Sequence, residues 1–280
     1  MTEPTDNLEP GLQSGLGSGL ETGQEPAFVS AAATDVGRVR KLNEDSHLDR
    51  PDLGLWAVAD GMGGHQAGDL ASQTIIEALG VIPPPRSARE LMVEVRQALE
   101  RANDSLLIYA DQCHADRSDA DGHGDRPVIA STVVCLLTFG GHYASVWAGD
   151  SRLYLHRSGE IIQVSHDHSV VQEMVDAGQI DSDAARRHPS SNQVTRAVGV
   201  NGWIDLEVVQ DDLHPGDVFL LCSDGITRII EDEEIGRILA GSDPAAAVRE
   251  LIDLALDRGA PDNATAVVVR CEAVSEEKEA

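Results

Sequence analysis

Apolar residues recur along the chain at two periods, and the switches between those periods divide it into strands and helices. Residues 28–34 form a short apolar strand, and residues 55–59 (LWAVA) form a continuous apolar run ending at Asp60. Past the glycines at 61, 63 and 64, residues 67–79 carry apolar positions at helical spacing, and three prolines at 83–85 stop them. Ser87 with Glu90 has the form of a capping box. Leu91, Val95, Ala98, Leu99, Ala102 and Leu106 then share one face of a long helix expected to end near Ala110. Strand-like runs follow at 129–138, 143–147, 152–156 and 160–164, with Gly140-Gly141 and Ser158-Gly159 as turns, which predicts an antiparallel meander. A helix is expected at 169–177, closed by Gly178, and Asp181 starts another. Strands resume at 204–209 and 218–222, a short helix at 235–239 follows, and Asp243-Pro244 opens the helix carrying Ala247, Val248, Leu251, Ile252 and Ala255. Residues 264–271 form a last strand. Two β-rich regions with helices between and after them predict an α+β protein, sheets covered by helices, and not a parallel doubly wound fold.

Charge narrows the partners. Among 280 residues, 48 acids face 21 Lys and Arg, a formal net charge of −27. Nucleic acids and anionic membranes demand clustered cations, so both are excluded as partners, whereas divalent cations are permitted. Cys113, Cys135, Cys222 and Cys271 form no CxxC pair, which argues against a zinc site or a disulfide framework. With no signal-peptide pattern and no apolar run near the ~18 residues of a membrane helix, a reduced, cytoplasmic protein is expected. Residues 1–26, rich in Gly, Ser, Glu and Pro and without Lys or Arg, read as a disordered acidic tail, and 273–280 as a second acidic tail. The domain proper is expected over 27–272.

Several features invite chemistry that their context does not support. The DADGHGD stretch in the expected loop 111–127 suggests calcium. Aligned on Gly122, however, an EF-hand loop would have Arg117 at its first position and Val128 at its twelfth, where carboxylates belong. His166-Asp167-His168 is expected to be a helix cap with surface histidines. His47, His114, His123 and His188 are likewise read as surface groups, and Trp56, Trp147 and Trp203 as packing.

The acids that stand out are those at strand ends. Asp60 after 55–59, Asp150 in VWAGD, Asp224 in CSDG and Asp262 in GAPDN each follow or precede an apolar strand. Were they to converge, their mutual repulsion would raise their pKa values unless cations sat among them. All-oxygen ligation selects hard ions such as Mg²⁺ or Mn²⁺, and a metal pair suits attack of water on phosphorus. Arg40 is the nearest guanidinium for the phosphate oxygens.

These segments resemble the metal-dependent protein phosphatases of type 2C (PPM), in their bacterial form. The resemblance rests on RKLNEDS (40–46), VADGMGGHQAG (58–68), WAGDSRLYL (147–155), CSDGI (222–226) and APDNATAVVV (260–269), with weaker similarity over most of Phe28 to Cys271. It implies an αββα sandwich of two mainly antiparallel sheets flanked by helices, with a metal site between the sheet ends. By motif match Asp60 would bridge two Mn²⁺ or Mg²⁺ ions, and the Gly61 carbonyl would ligate one. Asp224 and Asp262 would hold the other, and Glu44 would act at the first. Asp150 with Asp224 would serve a third, weaker ion. Arg40 would clamp the phosphate, Asp45 would orient a metal-bound water, and residues 167–195 would form the flap. Met62 stands where eukaryotic members carry a histidine, leaving His65 or a water as the proton donor. Ala130 replaces a usual glycine.

The implied function is hydrolysis of phosphoserine and phosphothreonine in proteins by a metal-bridging water, opposing a Ser/Thr kinase. A catalytically silent binding module of the same fold is the alternative. Such a protein would have lost a ligand, and none is missing here. An acidic calcium-binding protein is a third reading, resting on the loop that fails its pattern.

Overall fold

The computed structural model describes residues 26–63, 67–121 and 126–272. The expected tails at 1–26, save Pro26, and at 273–280 lie outside the described residues, as does His65. The first half of the chain builds β1 (Phe28–Asp35), β2 (Asp45–Arg50), β3 (Leu55–Gly63), α1 (Ala67–Gly80), α2 (Ala88–Asp121), β4 (Ile129–Ser131), β5 (Val133–Phe139) and β6 (His142–Ala148). The second half adds β7 (Arg152–Arg157), β8 (Glu160–Gln163), α3 (Val170–Asp176), α4 (Ser182–Arg186), β9 (Glu207–Asp212), β10 (Val218–Cys222), α5 (Asp224–Thr227), α6 (Asp232–Gly241), α7 (Pro244–Asp257) and β11 (Ala264–Cys271).

Two antiparallel sheets result, one in the order β1-β11-β10-β7-β8 and the other β2-β3-β5-β6-β9 with β4 paired to β3. Alternation along the central strands explains the layers. In β3, Leu55, Ala57 and Ala59 face α1 and α2, packing with Ile75, Leu79, Val95 and Leu99. Trp56 and Val58 point the other way, into the space between the sheets, where they meet Val134, Leu136, Phe219, Leu221, Val267 and Val269. The second sheet face repeats the logic, with Leu220, Cys222, Ala266 and Val268 packed on Ile235, Leu239, Val248 and Leu251 of α6 and α7. Strands buried on both faces need apolar residues at every position, which is why 55–59 and 218–222 read as unbroken runs. The result is a four-layer αββα sandwich. Between the sheets, Phe28 stands edge-on to Trp56 at 5.3 Å and Tyr143 to Phe219 at 4.9 Å.

Helix starts follow the expected caps. Ser169 accepts from the Gln172 N–H, Asp181 from Ala184, and Asp243 from Ala246 with Pro244 in the first turn. Ser87 accepts from the Glu90 N–H, but the Glu90 carboxylate reaches back to the N–H of Arg86, one residue before the expected partner.

Five expectations are corrected. The run 129–138 is two strands, broken at Thr132. The meander is two hairpins in different sheets, since β6 and β7 do not pair and the chain crosses between sheets at Gly149-Asp150. Gly149 has φ +116°, and a Cβ there would lie 2.6 Å from the Thr132 side chain, so the crossover requires glycine. The long helix continues past Ala110 to Asp121, through what was expected to be loop, because no Gly or Pro interrupts it before Gly122. Trp203 is 72% exposed and packs nothing away. His168 is buried, 6% exposed, not a surface histidine, because its ring stacks on Trp147. Smaller shifts place β9 at Glu207–Asp212 and extend α6 to Asp232–Gly241. An unforeseen edge strand, β2, begins at the end of the segment 38–46 and runs to Arg50. Among the described residues no helix is long and apolar enough to cross a membrane.

Candidate active site

One end of the sandwich gathers the acids because strand polarity and register bring it about. Asp60 lies opposite Asp45 in the β2–β3 pair, Asp150 follows β6, Asp224 follows β10, and Asp262 sits just before β11. The backbone of Asp60 is pinned by the neighbouring strand. Its carbonyl accepts from the Thr132 N–H and the Ser131 hydroxyl, both at 2.9 Å, and its N–H donates to Thr132 Oγ1 at 3.1 Å. Gly61 follows because nothing larger fits. A Cβ there would sit 1.9 Å from the Gly68 carbonyl oxygen, so glycine lets the loop after β3 fold back on α1. Ala130, where a glycine is usual, is buried in β4 opposite Met62 without disturbing the pairing.

Asn263 staples the 36–44 segment to the start of β11. Its Nδ2 donates to the carbonyls of Val36 and Leu42 at 2.9 Å each, and its Oδ1 accepts from the Glu44 N–H at 2.9 Å. Asp45 is buried, and its Oδ2 accepts 2.7 Å bonds from both Ser223 and Thr265. Sequence reasoning gave no role to Ser131 and Thr132, beyond their place after Ala130, or to Ser223, Asn263 and Thr265, whose only signal was a place in the motifs that carry Asp224 and Asp262.

Two acids face arginines. Arg40 Nη2 lies 2.8 Å from Asp262 Oδ2, and Arg228 Nη2 lies 2.6 Å from Asp224 Oδ2 one helical turn away. Glu44 is half-buried with its carboxylate against Gly68. Among the described residues no three of these side chains close on a common point as a preformed cage.

Electrostatically the acids form one unit. Burial, then the fields of Asp45, Asp224, Asp150 and Asp262, hold the Asp60 carboxyl well above its ordinary range. Burial likewise pushes Asp150 up to about 8, with Asp224 adding to it, and Asp45 up to about 7 against the opposing bonds from Thr265 and Ser223. Asp224 is raised by burial although Arg228 opposes it, and Glu44 is raised by burial although Arg40 opposes it. Asp45 Oδ1 and Asp224 Oδ1 are buried without any hydrogen-bond partner. Orphaned carboxylate oxygens inside a desolvated, all-oxygen cluster fit hard divalent cations. Beside the cluster a polar cleft of about 190 Å³ runs from Asp150 and Asp224 to α3 and α4, lined also by Arg186, Gln172 and Ser191.

A four-layer sandwich with carboxylates massed at one sheet end fits a centre for hard divalent cations. The family described as Protein phosphatase 2C matches residues 38–263, and the chain belongs to that family. It is similar to PppA, described as a key regulatory component of T6SS in Pseudomonas aeruginosa, with 43% identity over 87% of this chain and 97% of that one, and a TM-score of 0.76. The serine/threonine protein phosphatase PstP of Mycobacterium tuberculosis is 35% identical over 238 residues, 85% of this chain. This chain spans only 44% of that protein's length. The catalytic domain of PstP in complex with 2 manganese ions is 32% identical over 89% of this chain and all of that one, with a TM-score of 0.75.

Proposed function

We propose that the chain is a Mn²⁺- or Mg²⁺-dependent serine/threonine protein phosphatase. The observation that carries this reading is the joint desolvation and mutual repulsion of Asp60, Asp45, Asp150 and Asp224 at one sheet end, beside unpartnered carboxylate oxygens. Family membership and the manganese-bound PstP relative support it.

In this reading Asp60, the Gly61 carbonyl, Asp224 and Asp262 would hold two ions, Glu44 would assist at the first, and Asp150 with Asp224 would serve a third, weaker ion. When bound, the ions supply the Lewis acidity that activates water and neutralises phosphoryl oxygens. The chain's own groups do the rest. Arg40, half-exposed on the rim and paired to Asp262, would offer its guanidinium to the phosphate oxygens. Asp45, held in one orientation by Ser223 and Thr265, keeps Oδ1 free to accept a hydrogen bond from the attacking water. His65 or a solvent molecule protonates the leaving oxygen. Residues 27–272 act as one catalytic unit, with 167–195 as the flap beside the cleft.

The substrates are phosphorylated proteins in the cytoplasm, with an opposing Ser/Thr kinase as the natural counterpart. The test is phosphate release from phosphothreonine and phosphotyrosine peptides by the full chain with Mn²⁺. Turnover of the phosphothreonine peptide that EDTA abolishes is expected. Turnover of the phosphotyrosine peptide alone, or none from folded protein, would reject the reading in favour of another substrate or of the silent module.

A further inference from the structure

Between the acid cluster and the flap lies a buried histidine that the mechanism above does not use. His168 stands at the first root of the flap, 6% exposed, its ring parallel to the buried indole of Trp147 with centroids 5.9 Å apart and planes 13° apart. The Gly149 N–H donates to His168 Nδ1 at 3.2 Å, and the His168 N–H donates to the Gly149 carbonyl at 3.0 Å. One residue therefore holds the peptide groups on both sides of Gly149, the second of which leads into Asp150. On its other edge Nε2 lies 2.9 Å from Glu207 Oε2 of β9. Arg196, itself paired to Asp205 and Glu207, stands 3.2 Å from that nitrogen. Since Nδ1 must be bare to accept from Gly149, the ring proton sits on Nε2 and is given to the carboxylate.

The second root of the flap is tied to the same residue. The Thr195 N–H donates to the His168 carbonyl at 2.7 Å, and Ser169 pairs with Val194. Both roots of the flap and the turn into Asp150 thus meet at His168, the flap through its main chain and the turn through its main chain and its ring. Gly149 takes a φ of +116°, open to glycine among many other conformations, and the ring's hydrogen bond helps select it.

We infer that His168 is a positioning residue that sets the Asp150 carboxylate against Asp224 and couples that setting to the flap. This rests on the phosphatase reading, and its test is built to fail separately. Asparagine places Oδ1 near the Nδ1 position and can still accept from Gly149. Phenylalanine keeps the stack on Trp147 and accepts nothing. In full-length metal-free protein, His168→Phe is expected to speed amide hydrogen exchange at Gly149 to Ser151 at least tenfold and to leave β3 and β10 amides unchanged, whereas His168→Asn stays within threefold of wild type. With Mn²⁺ and an aryl phosphate, His168→Phe is expected to lose about tenfold in kcat with KM within twofold and to weaken the lowest-affinity Mn²⁺ step in calorimetry, with His168→Asn restoring both. Unchanged exchange at 149–151 in folded His168→Phe would overturn the inference, whether or not the protein turns over. Equal losses in kcat and exchange for both variants would overturn it too, by showing a merely structural role. Should His168→Phe not fold, the Asn variant decides alone: its near-wild-type exchange and kcat support the coupling, and their loss rejects it.

Discussion

Replacing Asp150 by asparagine should make the metal-free protein more stable while crippling the metal-loaded one. Burial and Asp224 push the Asp150 carboxyl from an ordinary 3.8 up to about 8. The folded state therefore holds this proton more tightly than the unfolded state. With that sign, stability falls as pH rises from about 3.8 to about 8, by about 1.36 kcal/mol per pH unit, and levels off above. At pH 7.5 the accumulated cost is about 5 kcal/mol. Asparagine escapes it but brings an amide that needs its own partners in the same crowded turn, so a net gain of about 2 kcal/mol is the expectation. The assay is urea unfolding of both proteins in chelator at pH 4.5, 6 and 7.5. The variant should be about 2 kcal/mol less stable than wild type at pH 4.5, about equal to it near pH 6 and about 2 kcal/mol more stable at pH 7.5, where millimolar Mn²⁺ should narrow the gap by binding the wild type more tightly. A variant that is less stable than wild type in chelator at pH 7.5 would refute the claim that this carboxylate is held at the expense of the fold.

Other perturbations separate packing from chemistry. Gly61→Ala drives a methyl into the Gly68 carbonyl, 1.9 Å away, and should cost about 3 kcal/mol in denaturant unfolding. Phe219→Ala, emptying a fully buried ring from between the sheets and stripping Tyr143 of its edge contact, should cost about 3 to 5 kcal/mol by the same measurement. Arg40→Ala removes an ion pair whose arginine is 48% exposed, so stability should move by less than about 1 kcal/mol. In steady-state kinetics the same variant should raise KM for an aryl phosphate ~10-fold, since the guanidinium is the rim's phosphate clamp.

Legibility in the sequence tracked how each residue is used. The strands β3 and β10 could be read because burial on both faces writes them as unbroken apolar runs, β11 from a looser alternation, and α7 because its cap and stripe agree. The strand β2 could not, since DSHLDR on a half-buried sheet edge carries only one apolar residue, Leu48, and so shows no apolar pattern. Sheet membership was equally hidden. Nothing local marks Gly149 as the crossing point, because the reason for it is Thr132, 17 residues upstream. At the site, the acids and their order were visible as motif residues. The groups that orient them were not, since Ser223, Thr265 and Asn263 reach Asp45 and Glu44 from about 180 to 220 positions away. His168 was misread for the same reason: its partners Trp147, Gly149 and Glu207 meet only in the fold.

The most direct test of the central claim is aryl phosphate hydrolysis by the full chain, stripped with EDTA and titrated with Mn²⁺, beside Asp60→Asn. The account predicts no turnover in chelator, saturable turnover with added Mn²⁺, and loss of at least ~10³-fold in kcat for the variant at every Mn²⁺ concentration. Metal-independent hydrolysis, or an Asp60→Asn protein as active as wild type, would contradict it.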